Sequence, residues 1–204
     1  MSVLRLCLER PSRGARFFDA TLLVMEGGFL NPGATLKLAG VDEGMRVADI
    51  GAGAGFFARA AGRLVGEGGV VWAVDLNREL LSRIKNFGEA EGLHNIEVLH
   101  GDAEVAGGTN LPSDSFDFAI AANLLFSVEH KGECVAEVRR ILKKTGRALF
   151  VDWQDSFGGL GPHADHVLTL EAGQKLLEQH GLSVLGRVPA GAYHWGLVVR
   201  KKSA

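Results

Sequence analysis

The sequence predicts an α/β protein: a three-layer α/β/α sandwich around a mostly parallel seven-stranded sheet with an antiparallel final strand, the Rossmann-like arrangement. Three observations predict it. Short apolar runs alternate with amphipathic helical segments from residue 46 to residue 180. A glycine-rich turn directly follows the first strong strand and opens a helix. Two strand-like runs near the end are separated only by residues 189–192, so they form a hairpin and the last strand must run antiparallel.

The predicted strands are short, apolar and bounded by turn residues, as expected of strands that helices cover on both faces. They span 46–50, 70–74, 96–100, 116–121, 148–152, 182–188 and 193–200. The predicted helices carry apolar residues at three- and four-residue spacing between capping residues. They span 17–26, a short segment from Pro32 to Gly40 capped by Asn31, 56–65, 78–91 capped by Asn77, 133–144 ended by Thr145-Gly146, and 170–180.

Length and composition limit the class of protein. A chain of 204 residues can bury a substantial core in one domain, and we assign 1–28 to an N-terminal arm and helix and 29–204 to that domain. Cys7 and Cys134 form no C-x-x-C pair, which argues against a disulfide framework and favours a cytoplasmic protein. The apolar runs are too short to cross a membrane. With 22 basic and 24 acidic residues, the charge disfavours nucleic acid as a partner.

The most informative segment is the turn Asp49-Ile50-Gly51-Ala52-Gly53-Ala54-Gly55. Glycine tolerates positive φ in a tight turn and lets a ligand approach the backbone closely, so three alternating glycines before a helix predict a cofactor site. Asp75 stands 20 residues past the last glycine, where a carboxylate can accept hydrogen bonds from ribose hydroxyls. Residues 53–58 also match the dinucleotide pattern G-x-G-x-x-A, so these features alone fit NAD and S-adenosylmethionine equally.

Two further acidic residues distinguish these cofactors: Asp49, just before the glycines, and Asp102, after the third strand. With Asp49, the turn resembles the D/E-x-G-x-G-x-G motif of class I (Rossmann-like) S-adenosylmethionine-dependent methyltransferases. Over about 29–201, the chain is most similar to the small, type 11-like methyltransferases related to ubiquinone/menaquinone-biosynthesis C-methyltransferases. Four more segments resemble motifs of that class: 74–76 (VDL), 101–104 (GDAE), 111–117 (LPSDSFD) and 138–146 (VRRILKKTG, which lacks the usual proline and first glycine).

The resemblance implies in-line methyl transfer from S-adenosyl-L-methionine, which leaves as S-adenosyl-L-homocysteine, to a small-molecule acceptor. It implies that the methionine part of the cofactor lies over the glycine turn, with the ribose on Asp75 and the adenine beside Asp102 and the Ala103 amide. The implied cofactor-binding residues are Asp49, Gly51, Gly53, Gly55, Asp75, Leu76, Asp102, Ala103 and Asn123.

Acceptor chemistry is expected where the fourth and fifth strands end and the last strand begins, because these positions meet at the ligand edge of the sheet. The catalytic candidates are His194, Asp152 and Tyr193. Side chains alternate along a strand, so at most one of Tyr193 and His194 reaches the acceptor. We favour His194, whose unperturbed pKa of about 6.5 suits it to accept a proton, with Asp152 as its orienting partner. Phe126 and Trp153 are candidates for the wall of an acceptor pocket.

Three other interpretations stay open. His163, Asp165 and His166 have the spacing of a partial metal site, but no further ligand run accompanies them, so a solvated loop is favoured and no metal is predicted. An NAD(P)-dependent short-chain reductase would need a Tyr-x-x-x-Lys pair, yet Tyr193 is followed four positions later by Leu197. A non-catalytic cofactor-binding partner subunit that keeps the fold is the remaining alternative.

Overall fold

The computed structural model describes residues 28–202; the predicted N-terminal arm, with its helix at 17–26, lies outside the described residues. None of the helices in this part of the chain is long and apolar enough to cross a membrane. The helices are α1 (Pro32–Ala39), α2 (Phe56–Val65), α3 (Arg78–Ala90), α4 (Lys131–Ile141) and α5 (Leu170–Gln179). The strands are β1 (Arg46–Ile50), β2 (Val70–Asp75), β3 (Ile96–His100), β4 (Phe116–Ala122), β5 (Leu142–Trp153), β6 (Leu182–Arg187) and β7 (His194–Lys201).

The seven strands form one sheet in the order β3-β2-β1-β4-β5-β7-β6. Strands β1 to β5 pair in parallel, whereas β7 is antiparallel to both of its neighbours, β5 and β6. It follows that β6 runs parallel to β5 and ends at the same edge, so β7 begins at that edge. The predicted fold class, with its antiparallel final strand, is confirmed.

Helices cover both faces of the sheet and divide the core into two clusters. On one face, side chains of α1, α2 and α3 pack against strand residues that include Val47 and Phe118. On the other face, α4 and α5 pack against Phe116 and Phe150. Burial of one such side chain stabilises the fold by roughly 1.5–3 kcal/mol. This packing holds the carboxyl ends of the parallel strands and the amino ends of the helices along one edge, where ligands bind in folds of this kind.

Local capping explains where several helices begin and end. The Asn31 side chain accepts a hydrogen bond from the Ala34 amide over 3.1 Å, and α1 ends at Gly40, whose φ of 89° suits glycine. The Asn77 side chain accepts from the Glu79 amide over 2.9 Å at the start of α3. Both N-caps were predicted from the sequence, and both are confirmed.

The predicted end of the helix at 133–144 is wrong. The corresponding helix, α4, stops at Ile141, and the Thr145-Gly146 pair lies within β5. The carbonyls of residues 140 and 141 accept hydrogen bonds from the amides of Asp114 and Ser115, over 3.0 and 2.9 Å. These bonds draw the chain out of the helix and into β5. A bulge follows opposite Phe116, where a side chain at Gly146 would come within 2.8 Å of the Phe116 carbonyl.

Candidate cofactor and acceptor site

A cavity of about 550 Å³ opens at the edge of the sheet where the parallel strands end. The turn after β1, the ends of β4 and β5, the start of β7 and the segment leading into α1 form its walls. Three polar side chains line it, those of Asp49, Asn123 and His194. Its apolar side chains include those of Phe29, Leu30, Phe56, Phe57, Ala122 and Trp153.

The three glycines of the turn have different surroundings, although each has a positive φ. A side chain at Gly51 would come within 2.6 Å of Leu124, and one at Gly55 within 2.6 Å of Ile84. A side chain at Gly53 would meet no atom closer than 3.9 Å, so this side of the glycine faces open space. Gly51 and Gly53 line the cavity, whereas Gly55 is the N-cap of α2 and lets that helix pack closely against α3.

Asp75 fixes the glycine turn to the end of β2. One carboxylate oxygen accepts a hydrogen bond from the Gly53 amide and the other from the Asn77 amide, each over 2.8 Å. A carboxylate oxygen has two lone pairs, so Asp75 can hold the turn and still accept from a ligand hydroxyl. A structural role and the predicted ribose contact are therefore compatible at this residue.

The predicted adenine residues Asp102 and Ala103 follow β3, Leu76 follows β2, and none of the three is among the residues that line the cavity. Asp102 accepts a hydrogen bond from the Glu104 amide over 2.8 Å, and its own amide donates to the Gly108 carbonyl over 2.8 Å. Leu76 exposes 57% of its surface, and Ala103 packs partly buried against the core. An exposed leucine near a turn carboxylate suits a flat ring that buries apolar surface and donates one hydrogen bond.

Asp49 lies near the end of β1 and is almost completely buried at the cavity. Its Oδ2 atom has no hydrogen-bond partner among the described residues. Burial raises the pKa of Asp49 to about 7, an effect that the hydrogen bond from the Ala58 amide opposes and the negative charge of Asp75 reinforces. The carboxyl is therefore partly protonated near neutral pH, and a positively charged ligand in the cavity would favour its anion.

Asn123 follows β4 in a strained backbone conformation, with a φ of 54° that non-glycine residues seldom adopt. Its amide donates to the Val151 carbonyl over 2.8 Å, which ties the turn to β5. The side-chain Oδ1 atom is buried at the cavity and, within residues 28–202, meets no hydrogen-bond donor. Asn123, which the resemblance implied as a cofactor-binding residue, lies at the cavity.

Asp152 lies on the opposite face of the sheet from His194. It pairs in register with Trp195, one position along from the Trp153–His194 pair, and successive residues of a strand face opposite ways. Its carboxylate accepts hydrogen bonds from the amides of Trp153 and Phe126, over 2.8 and 3.0 Å. The prediction that Asp152 orients His194 is therefore wrong. Burial raises the pKa of Asp152 to about 6, and the residue holds the turn that follows β4.

His194 is the first residue of β7, and its ring packs against that of Trp153 with centroids 4.3 Å apart. The residue is 5% exposed, and neither ring nitrogen has a hydrogen-bond partner in the described part of the chain. Burial lowers the pKa of His194, so the imidazole is neutral at neutral pH. Tyr193 instead packs against Phe157 and Phe29, with centroids 4.9 and 5.4 Å away. Of these two residues, only His194 is among those that line the cavity.

Unsatisfied polar atoms concentrate at this cavity. Six buried side-chain polar atoms in residues 28–202 lack a partner, and four of them belong to Asp49, Asn123 and His194. Burying a polar atom without a partner costs about 1–3 kcal/mol, so folded proteins keep few of them. Such a concentration at one cavity is typical of a ligand-binding site.

The segment before α1 contributes to the cavity, and the sequence analysis missed it. The Gly28 carbonyl accepts a hydrogen bond from the Ala192 amide over 3.2 Å, which holds the segment against the loop before β7. Phe29 and Leu30 then line the cavity. The exposed fraction of Phe29 is 63%, so its ring stands at the opening. In the sequence, two apolar residues, Phe29 and Leu30, stand directly before the N-cap of α1. The neighbouring residues do not show which part of the fold these two side chains contact.

Glu137 on α4 is a second residue that the sequence analysis missed. Its buried carboxylate accepts hydrogen bonds from the Gly107 amide, the Thr109 amide and the Thr109 hydroxyl, and from the Arg140 guanidinium. These bonds keep the pKa of Glu137 low despite burial. These bonds hold the loop that begins at Gly101 and carries Asp102. Through this loop, α4 supports one side of the predicted adenine site.

The histidine loop after β5 forms part of the surface. His163 lies 3.2 Å from Asp165, and both side chains are strongly exposed. Within the described ranges, no group of three or more His, Cys, Asp or Glu side chains is arranged to hold a metal ion.

Comparison with known proteins assigns the family. A model of the methyltransferase domain matches residues 48–150, about half of the chain. The ubiquinone/menaquinone biosynthesis C-methyltransferase UbiE of Laribacter hongkongensis is 32% identical over 153 residues, covering 74% of this chain and 61% of the relative. Its counterpart in Pseudomonas entomophila is 37% identical over 123 residues, covering 58% of this chain and 46% of the relative. The chain therefore spans less than two thirds of the length of these relatives.

Solved structures agree with this result. A SAM-dependent methyltransferase from Aquifex aeolicus superposes with a TM-score of 0.76 at 29% identity, covering 84% of this chain and 89% of that one. An arsenic(III) S-adenosylmethionine methyltransferase from Chlamydomonas reinhardtii shares the fold, with a TM-score of 0.63 at 23% identity over 79% of this chain and 64% of that one. The chain belongs to the methyltransferase domain family, whose members use S-adenosylmethionine.

Proposed function

We propose that this protein transfers a methyl group from S-adenosylmethionine to a small, largely apolar acceptor bound at the edge of the sheet. One observation carries the proposal: four unpartnered buried polar atoms surround a cavity that the glycine turn also lines. Asp49 and the Asn123 amide oxygen offer lone pairs there. Such a set complements the positive charge and hydrogen-bond donors of the methionine end of the cofactor.

The residues present fit the cofactor along its whole length. Asp49, Gly51 and Gly53 would hold the methionine end, Asp75 the ribose, and Asp102 with Leu76 the adenine. When bound, S-adenosylmethionine supplies a methyl group already activated by its positively charged sulfur. The chain's task is then to align the acceptor, exclude water and remove a proton where the acceptor carries one.

The apolar wall supports a ring-containing acceptor. Phe29, Phe57 and Trp153 contribute broad flat surfaces, and flat apolar ligands bury their surface well against aromatic rings. The curated relatives are named as C-methyltransferases of ubiquinone and menaquinone biosynthesis. We therefore propose carbon methylation of a hydroxylated aromatic ring as the reaction class, on a molecule that enters past Phe29.

Isothermal titration calorimetry tests the cofactor assignment. We expect S-adenosylhomocysteine to bind with a micromolar or lower dissociation constant and NADH to give no saturable heat. At pH 6, binding of the positively charged S-adenosylmethionine should also release close to one proton, measured in paired buffers of different ionisation enthalpy. The reason is that burial raises the pKa of Asp49 to about 7 and a positive ligand favours its anion.

Asp49→Asn should remove the proton release, whereas Asp114→Asn, which removes an exposed carboxylate far from the cavity lining, should leave it unchanged. Binding of NADH in place of S-adenosylhomocysteine would instead support a dinucleotide enzyme. Cofactor binding without transfer of a labelled methyl group to mono- or dihydroxylated naphthalenes would count against the proposed acceptor class and in favour of a cofactor-binding partner subunit.

A further inference from the structure

The environment of His194 differs from that of a structural histidine. Buried structural histidines satisfy at least one ring nitrogen with a carbonyl, a carboxylate or a water. Here both nitrogens are buried and unpartnered among the described residues, and the residue lines the cavity. The ring of Trp153 packs against that of His194 at an interplanar angle of 42°. An imidazole held by packing alone is ready to accept a hydrogen bond from whatever enters.

We propose that His194 is the general base of the reaction, and that the acceptor is one that presents an O–H or N–H hydrogen to this ring. The proposal rests on the proposed function and names the chemistry at the acceptor end of the same site. It excludes acceptors that react through a lone pair without losing a proton, such as thioethers and tertiary amines.

Each turnover of the proposed reaction releases one proton from the acceptor. The acceptor's O–H or N–H bond breaks, and its proton passes to a ring nitrogen of His194. The electron pair released makes the acceptor nucleophilic, either at the same atom or at a conjugated ring carbon. That atom forms the new bond to the methyl group, and the electrons of the broken carbon–sulfur bond remain on sulfur. Where carbon is methylated, the hydrogen on that carbon leaves as a proton and restores the hydroxyl.

Burial, and not a neighbouring charge, keeps the imidazole of His194 neutral before the reaction. Of the polar groups that line the cavity, Asp49 on β1 is the other titratable one, and Asn123 after β4 is uncharged. On β5, Trp153 packs against the ring, and the Asp152 carboxylate lies on the other face of the sheet. Burial lowers the pKa of His194, so a free lone pair is present at neutral pH. We therefore expect turnover to be constant above neutral pH and to fall in acid.

A pair of matched probes tests the hydrogen bond without turnover. In protein saturated with S-adenosylhomocysteine, 1-naphthol should bind roughly 5- to 10-fold more tightly than 1-methoxynaphthalene, because only the naphthol donates a hydrogen bond. His194→Phe should remove this preference, and His194→Gln, which keeps an acceptor oxygen, should retain part of it. Equal binding of both probes by the wild-type protein, or an unchanged preference in His194→Phe, would overturn the proposal.

Turnover then separates a base from a hydrogen-bond acceptor. With 1,4-dihydroxynaphthalene, His194→Gln should lower kcat by about 100-fold or more while the dissociation constant of S-adenosylhomocysteine changes less than twofold. The profile is recorded at saturating S-adenosylmethionine, whose positive charge favours the Asp49 anion, and its acid limb should disappear in this variant. Unchanged kcat in His194→Gln would refute the base role and leave methyl transfer intact. Failure of the wild-type protein to bind S-adenosylhomocysteine would instead refute the proposed function.

Discussion

Glu137 on α4 accepts hydrogen bonds from both the backbone amide and the hydroxyl of Thr109, which lies in the loop after β3. The carboxylate is buried, and Arg140 provides its counter-charge. Because the same loop carries Asp102, a helix that contributes nothing to the lining of the cavity determines where one of the predicted cofactor residues stands. Truncating one partner of a buried charged network leaves the other partners unsatisfied, so this contact is sensitive to substitution.

Glu137→Gln should therefore affect cofactor binding from a distance. We expect unfolding free energy to fall by about 1–3 kcal/mol and the dissociation constant of S-adenosylhomocysteine to rise several-fold, measured by urea denaturation and calorimetry. Asp114→Asn serves as the control, because the Asp114 carboxylate is exposed and solvent screening leaves its pair with Lys201 little effect on stability. A destabilised Glu137→Gln protein with unchanged cofactor affinity would show that the network supports the fold alone.

Asp49 should make the ligand-free protein less stable as the pH rises. Its pKa is raised from 3.8 to about 7 in the folded state, so the folded state holds a proton that the unfolded state has lost between those values. Stability linked to this group therefore falls with increasing pH until about 7 and is constant above it. Asp49→Asn does not titrate, and its stability advantage over the wild type should grow by about 2 kcal/mol between pH 5.5 and pH 8.

Chemical denaturation of both proteins at the two pH values measures this difference directly. Any effect of the amide on packing is independent of pH and cancels in the comparison. A stability difference that stays constant across the range would mean that the Asp49 carboxyl has an ordinary pKa in the folded protein. The expected result would identify Asp49 as a residue kept at a cost in stability, as binding residues often are.

Much of this arrangement could be predicted because its determinants are local. β1 and α2 occupy the predicted residues, since an apolar run, a glycine turn and an amphipathic segment specify them without reference to the rest of the chain. The position of His194 also followed from topology, because the hairpin forces β7 to begin at the edge where β6 ends. Asp49 and Asn123 lie at the cavity for the same reason: each is at or just after the carboxyl end of a parallel strand.

The parts that could not be predicted depend on contacts between distant segments. The end of α4 is determined by amides before β4, and the orientation of Asp152 by the register of β5 against β7. Because side chains alternate along a strand, a shift of one residue decides whether Asp152 faces His194 or the turn after β4. The sequence contains no local pattern that specifies this register.

Asp152 should behave as a support for the turn after β4 and not as part of a catalytic pair. Asp152→Ala leaves the amides of Phe126 and Trp153 without their acceptor, so we expect a loss of about 1–3 kcal/mol in unfolding free energy. The imidazole resonances of His194, followed by NMR across a pH titration, should keep the wild-type midpoint. A lowered midpoint in Asp152→Ala would indicate that the carboxylate interacts with the imidazole after all.

Gly53 offers the sharpest test of the glycine turn, because the chain contains a matched control. Gly53 and Gly44 both have positive φ, 54° and 77°, and a side chain at either position would meet no atom closer than 3.9 Å. Gly53 lines the cavity, whereas Gly44 lies in the turn before β1, at the opposite edge of the sheet. Substitution by alanine should therefore lower the unfolding free energy by a similar amount at each position, about 1–2 kcal/mol.

The two variants should differ only in ligand binding. We expect Gly53→Ala to weaken S-adenosylhomocysteine binding at least about tenfold, since a methyl group would occupy the space in which the ligand approaches the backbone, and Gly44→Ala to leave it unchanged. Gly51→Ala and Gly55→Ala would not separate these effects, because their side chains would collide with Leu124 and Ile84. Equal affinities in Gly53→Ala and Gly44→Ala, at equal stability, would mean that the open side of Gly53 does not face the cofactor.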